Sequence, residues 1–85
     1  MDFLLKEEKI VVEVKKTRLG LSDRELGEQL IIDIQKYRAH QDCKALVCFI
    51  YDPDERIMNP QGLISDLEGQ SSDELDIRML IFPWQ

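Results

Sequence analysis

Hydrophobic positions along this chain change period, and each change marks an element. Phe3-Leu4-Leu5 and Ile10-Val11-Val12-Glu13-Val14-Lys15-Lys16 read as two strands divided by the polar break Lys6-Glu7-Glu8-Lys9. An antiparallel hairpin centred between Glu7 and Glu8 pairs Leu5 with Ile10, Leu4 with Val11, Phe3 with Val12 and Asp2 with Glu13. The break lacks the Asn-Gly or Asp-Gly of two-residue turns, so a longer loop is expected. A four-residue loop keeps this pairing, whereas an odd loop shifts it by one. Arg18-Leu19-Gly20-Leu21 is then a connection, and Ser22-Asp23-Arg24-Glu25 a capping box for a helix from about Asp23 to Ala39. Leu26, Leu30, Ile34 and Tyr37 recur at helical spacing and should form its buried stripe, while Gln29, Asp33 and Lys36 share a neighbouring face.

Ala45-Leu46-Val47-Cys48-Phe49-Ile50-Tyr51 is apolar without alternation, as expected of an interior strand covered on both sides. Strand, long helix and strand imply a right-handed parallel crossover. Asp52-Pro53-Asp54-Glu55 is a turn, and Asn59-Pro60 opens a short helix with Asn59 as its cap and Gly69 at its end. After the polar loop Gln70-Ser71-Ser72-Asp73-Glu74, Ile77 to Phe82 is a last strand, and Trp84 is read as a lid or partner contact. The order β-β-α-β-α-β predicts an α/β chain with a mixed sheet under helical cover.

Composition bounds this picture. Eighty-five residues, 44% hydrophobic and 33% charged, fit one small folded domain over residues 1–85. No apolar run approaches the roughly 20 residues of a membrane span. Cys43 and Cys48 are too few for a disulfide framework, which favours a reducing, cytoplasmic setting. With the single His40 they form no zinc-ligand pattern. A net charge of −6 opposes broad, unspecific nucleic-acid binding. The charges are nonetheless sorted: Lys15, Lys16 and Arg18 cluster after Glu13, while Asp52, Asp54, Glu55, Asp66, Glu68, Asp73, Glu74 and Asp76 load the second half. A basic edge beside a carboxylate suits an approaching phosphodiester, and a solvated strand end explains it equally well.

Candidate chemistry begins at Glu13 and Lys15, which alternation places on one face of an otherwise apolar strand. Charge on such a strand is costly to bury unless it is paired or binds something. Asp2, with ten residues between it and Glu13, is its hairpin partner, and directly opposed residues hold their Cβ atoms roughly 4.5–5.5 Å apart. Two carboxylates and a lysine at one point suit a divalent cation and a water aimed at phosphate. The same spacing also admits a blander reading, with Asp2 a frayed terminal residue, Glu13 a solvent-facing strand charge and Gln29, Asp33 and Lys36 an ordinary polar face.

Asp2, then Glu13-Val14-Lys15, then a helix and a parallel strand, together resemble the core of the PD-(D/E)XK nuclease superfamily. More narrowly, Asp2-Phe3-Leu4-Leu5, Val12 to Arg18, Gln29 to Ile34, Tyr37-Arg38-Ala39-His40 and Cys48 to Pro53 resemble the DpnII/MboI-type restriction-endonuclease-like domain, which occurs in many bacterial proteins. The resemblance implies a metal-dependent DNA endonuclease. Asp2, Glu13 and the Val14 carbonyl would bind Mg²⁺ or Mn²⁺, with Lys15 orienting or deprotonating the attacking water. Lys16, Arg18, Gln29, Asp33 and Tyr37 are the candidate nucleic-acid contacts. The superfamily core begins with a helix and another strand ahead of the position matched by Asp2. Met1 stands there here, so a fragment of a larger protein is expected, with an exposed edge and apolar face that invite a homodimer or strand exchange. A catalytically inactive nuclease-like module that binds nucleic acid or protein is the competing functional reading.

Overall fold

The computed structural model describes residues 2–40 and 43–83, Asp2 by its backbone alone. Trp84, the expected lid, lies outside the described residues, as does the Asp2 side chain. In chain order the elements are β1 (Asp2–Leu5), β2 (Ile10–Lys16), α1 (Asp23–Arg38), β3 (Ala45–Tyr51), α2 (Pro60–Glu68) and β4 (Asp76–Phe82). They build a four-stranded sheet in the order β1-β2-β3-β4. β1 is antiparallel to β2, and β2, β3 and β4 are parallel. This is the mixed α/β sheet of a restriction-endonuclease-like core.

The hairpin register follows from its loop. Asp2, Phe3, Leu4 and Leu5 face Glu13, Val12, Val11 and Ile10, with residues 6–9 as the connection. Lys9 closes the turn at φ 58°, a left-handed conformation that costs a residue with a Cβ roughly 1–2 kcal/mol. The Lys9 carbonyl accepts from the Lys44 and Ala45 N–H groups, tying the loop to the start of β3.

Each helix begins where its cap says it should. The Ser22 hydroxyl accepts from the Glu25 N–H, and Asn59 Oδ1 accepts from the Gly62 N–H with Pro60 in the first turn. A Cβ at position 62 would stand 2.8 Å from Asn59 Cγ, so glycine there lets the cap close. The two starts are also linked, because the Asp23 carboxylate accepts from the Met58 and Asn59 N–H groups, both at 3.0 Å.

The core fills one side of the sheet. Val11 of β2, Leu46, Cys48 and Ile50 of β3, and Ile77, Met79 and Ile81 of β4 pack under Leu26, Leu30 and Ile34 of α1 and Leu63 and Leu67 of α2. Tyr37, predicted for the α1 stripe, packs against this cluster half-buried. The expectation that β3 is covered on both faces is corrected: Val47 and Phe49 are only half-buried and Tyr51 is exposed. The reason is topological. The chain steps from β2 to β3 to β4 in one direction, so both connecting helices fall on the same face.

Candidate active site

Glu13 sits in the middle of β2, opposite the backbone of Asp2 on β1 and beside Cys48 on β3. Its side chain points to the helix side of the sheet and is only 5% exposed. The Cys48 thiol donates weakly to Glu13 Oε2 at 4.0 Å, and the carboxylate is almost wholly shielded from water. Two residues on, alternation returns Lys15 to the same face. Its ammonium lies 3.3 Å from Glu13 Oε1 and 3.0 Å from Asp33 Oδ2, reached across the gap from α1. The Asp33 contact is an ion pair to a buried carboxylate oxygen.

These three groups set one another's protonation. Burial pushes the Glu13 carboxyl up from its ordinary 4.5 to about 7, aided by a hydrogen bond with Asp33 and the negative charge there, with Lys15 opposing. Burial also penalises charge on Asp33, but its hydrogen bond with Glu13 and the cations Lys15 and Lys36 outweigh that and hold it below the usual carboxylate range. The proton shared by the two acids therefore rests on Glu13, the deeper partner and the one farther from Lys15. Desolvation pulls Lys15 down, yet the two carboxylates override it and the net shift is upward, so the ammonium stays charged.

The other sequence-predicted residues lie around this cluster without joining it. The Val14 side chain points to the opposite face, where it is 36% exposed, so only its backbone carbonyl is a candidate ligand. Lys16 also projects there, with its ammonium 6.0 Å from the centre of the Tyr51 ring. Arg18 lies past the end of β2, in a loop cleft shared with Leu19 and Arg56. Gln29 is half-buried one turn before Asp33 on α1, and Tyr37 one turn beyond lines a small cavity of about 140 Å³ with Leu4, Val11 and His40. Among the described residues no three acids, histidines or cysteines converge as a metal-ligand cluster. The Asp2 side chain lies outside the described residues.

Two contributors escaped the sequence reading. Cys48 was a redox marker there, yet its thiol walls Glu13 from the next parallel strand, in a register set by the crossover and not by any local signal. Asp52 was assigned to a turn, yet it is fully buried and accepts from the Thr17 hydroxyl and from the Arg56 and Ile57 N–H groups, which fixes the chain just beyond Lys15.

No curated protein and no solved structure matches the chain. The family model described as REase_DpnII-MboI matches residues 1–84, and so spans β1, the Glu13–Lys15 strand and every element after it. The chain thus belongs to the DpnII-MboI family of restriction endonucleases.

Proposed function

We propose that the protein is a metal-dependent DNA endonuclease whose reaction centre is the crevice between β2 and α1. The observation that carries this reading is a buried carboxyl group, Glu13, with the Lys15 ammonium 3.3 Å away on the same face of the strand. The residues fit a hard divalent cation. Every candidate donor is oxygen, and the Asp2 backbone lies directly across from Glu13. Asp2, Glu13 and the Val14 carbonyl would hold Mg²⁺ or Mn²⁺. Such an ion, when bound, polarises the phosphoryl oxygen and acidifies a coordinated water.

The remaining work falls to this chain's own groups. Glu13 must release its proton to serve as a ligand, and its elevated pKa makes that release easiest above neutrality. Lys15, kept charged by its two acidic neighbours, orients the attacking water and offsets negative charge growing on the phosphorane oxygens. Its upward shift argues against a role as proton acceptor. Gln29 and Tyr37 lie on α1 beside Asp33 and, with Arg18 just past the end of β2, are assigned to the DNA strand. Lys16, on the other face of the sheet, could meet only a phosphate that passes the strand end.

The two cysteines are buried free thiols, in keeping with a cytoplasmic setting, and among the described residues no helix is long and apolar enough to cross a membrane. For assembly we assign a homodimer. Of the two sheet edges, β4 is already occupied: the outward Ile77 and Met79 N–H groups donate to Ser71 Oγ and Glu68 Oε2 at 3.0 Å. A second copy would therefore pair along β1 or cover the open face, where Phe3 and Leu5 are 50% and 46% exposed.

The test is cleavage of supercoiled plasmid with Mg²⁺ or Mn²⁺. Wild-type protein nicks the plasmid only with metal, and Glu13→Gln or Lys15→Ala lowers the rate at least about 100-fold, as loss of one key electrostatic group does. DNA binding without cleavage would favour the inactive module, and cleavage unaffected by either substitution would overturn the site.

A further inference from the structure

We propose that Asp33 is a positioning residue, which pins the Lys15 ammonium from α1 so that it meets the phosphate in a single orientation. The inference rests on the nuclease reading of the Glu13–Lys15 strand and adds a role for a third side chain.

A lysine is a point charge on a flexible four-carbon stem, and it carries about 2 kcal/mol of rotamer entropy. Glu13 alone would not fix it. That carboxylate lies two residues back on the same strand and gives one contact at 3.3 Å. Asp33 adds a second at 3.0 Å from a different element, and two anchors on separate elements define where the ammonium sits. The Lys15 side chain keeps 25% of its surface exposed, so the held charge still faces the crevice.

Asp33 is badly placed for anything but holding a cation. Its Oδ2 is buried beside the Lys15 ammonium, and its carboxylate lies within hydrogen-bonding reach of a second carboxyl group, Glu13. Two acids this close repel when both are ionised. An asparagine would relieve that repulsion and would also remove the charge that holds Lys15. The cation present is Lys15. Lys36, the other lysine acting on Asp33, has its ammonium 5.4 Å from the centre of the Tyr37 ring. α1 itself is anchored independently of Asp33, through Leu26, Leu30 and Ile34 in the core and the Ser22 cap. The Asp33 side chain can therefore change while the helix stays in place.

The experiment compares Asp33→Asn, Asp33→Glu, Lys15→Ala and the Asp33→Asn/Lys15→Ala pair with wild type. Three quantities are read: Mn²⁺ affinity by titration, kcat and KM for Mn²⁺-supported DNA cleavage, and the NMR order parameter of the Lys15 Nζ group without metal. The proposal predicts that Asp33→Asn lowers kcat about 10–100-fold, as removal of a supporting partner does. KM and Mn²⁺ affinity stay at wild-type values, Asp33→Glu recovers part of the loss, and the Asp33→Asn defect disappears in the Lys15→Ala background because it acts through that lysine. The order parameter of Lys15 Nζ falls in Asp33→Asn. An unchanged order parameter overturns the proposal, whatever the activity. So does a loss of Mn²⁺ affinity as large as that of Glu13→Gln, which would make Asp33 a ligand. A wild type that shows no metal-dependent cleavage removes the nuclease reading, while the order parameter still decides whether Asp33 holds Lys15.

Discussion

At the scale of single residues, the site is a problem in proton distribution. Glu13 is lifted to about 7 chiefly by burial, so the folded protein holds a proton that the unfolded chain has released. Stability therefore falls as pH rises from about 4.5 to about 7, on the order of 1–3 kcal/mol, and levels off above that window. Asp33 works in the opposite sense and in another range. Its carboxyl is lowered, so its contribution is present above the ordinary 3.8 and is lost as pH drops below it. Urea denaturation across pH checks both, and Glu13→Gln is expected to flatten the upper slope while leaving the acid limb in place. The pairing of Glu13 with Lys15 was legible in the sequence because alternation along a strand is a strict rule. Asp33's approach to Lys15 was not, because the angle at which α1 crosses the sheet decides which of its faces meets β2, and periodicity carries no information on that angle. The Cys48 wall stayed hidden for a similar reason, since inter-strand register between β2 and β3 is fixed by a crossover and not by a turn.

Among the elements, the hairpin was the most readable. Its four-residue loop sets the pairing of Asp2 with Glu13, and a slip of one would have sent Glu13 to the open face. The loop holds strain at Lys9, whose φ is 58°. Lys9→Gly is expected to stabilise the protein by roughly 0.5–1 kcal/mol, as relief of the left-handed strain exceeds the added chain entropy of glycine. A rise in the denaturation midpoint with unchanged slope is the observation to look for. In α1 the stripe Leu26, Leu30 and Ile34 is buried as its spacing required. Leu30 is 0% exposed in the middle of this stripe, and Leu30→Ala is expected to cost about 2–5 kcal/mol in the same denaturation assay. The α1 start was also readable from Ser22 to Glu25, whereas the link from Asp23 to the Met58 and Asn59 N–H groups, 35 and 36 residues away, had no local signature.

For the molecule as a whole, one side of the sheet carries the helices and the site, and the other is an apolar surface. Phe3, Leu5, Val14 and Tyr51 are exposed there and Val47 and Phe49 half-covered. The strand sequence of β3 suggested two-sided cover because an apolar run looks the same whether its second face meets helices or a partner. Light scattering is expected to show a dimer at micromolar concentration, and Phe3→Glu with Leu5→Lys is expected to shift it toward monomer; a stable monomer at high concentration would count against the assigned assembly. Of the measurements available, calorimetric titration of Mn²⁺ at about pH 8, where Glu13 has shed its proton, bears most directly on the proposed metal centre. The account predicts saturable binding to wild-type protein that disappears in Glu13→Gln. No binding to wild type, or equal binding to the Gln variant, would contradict it.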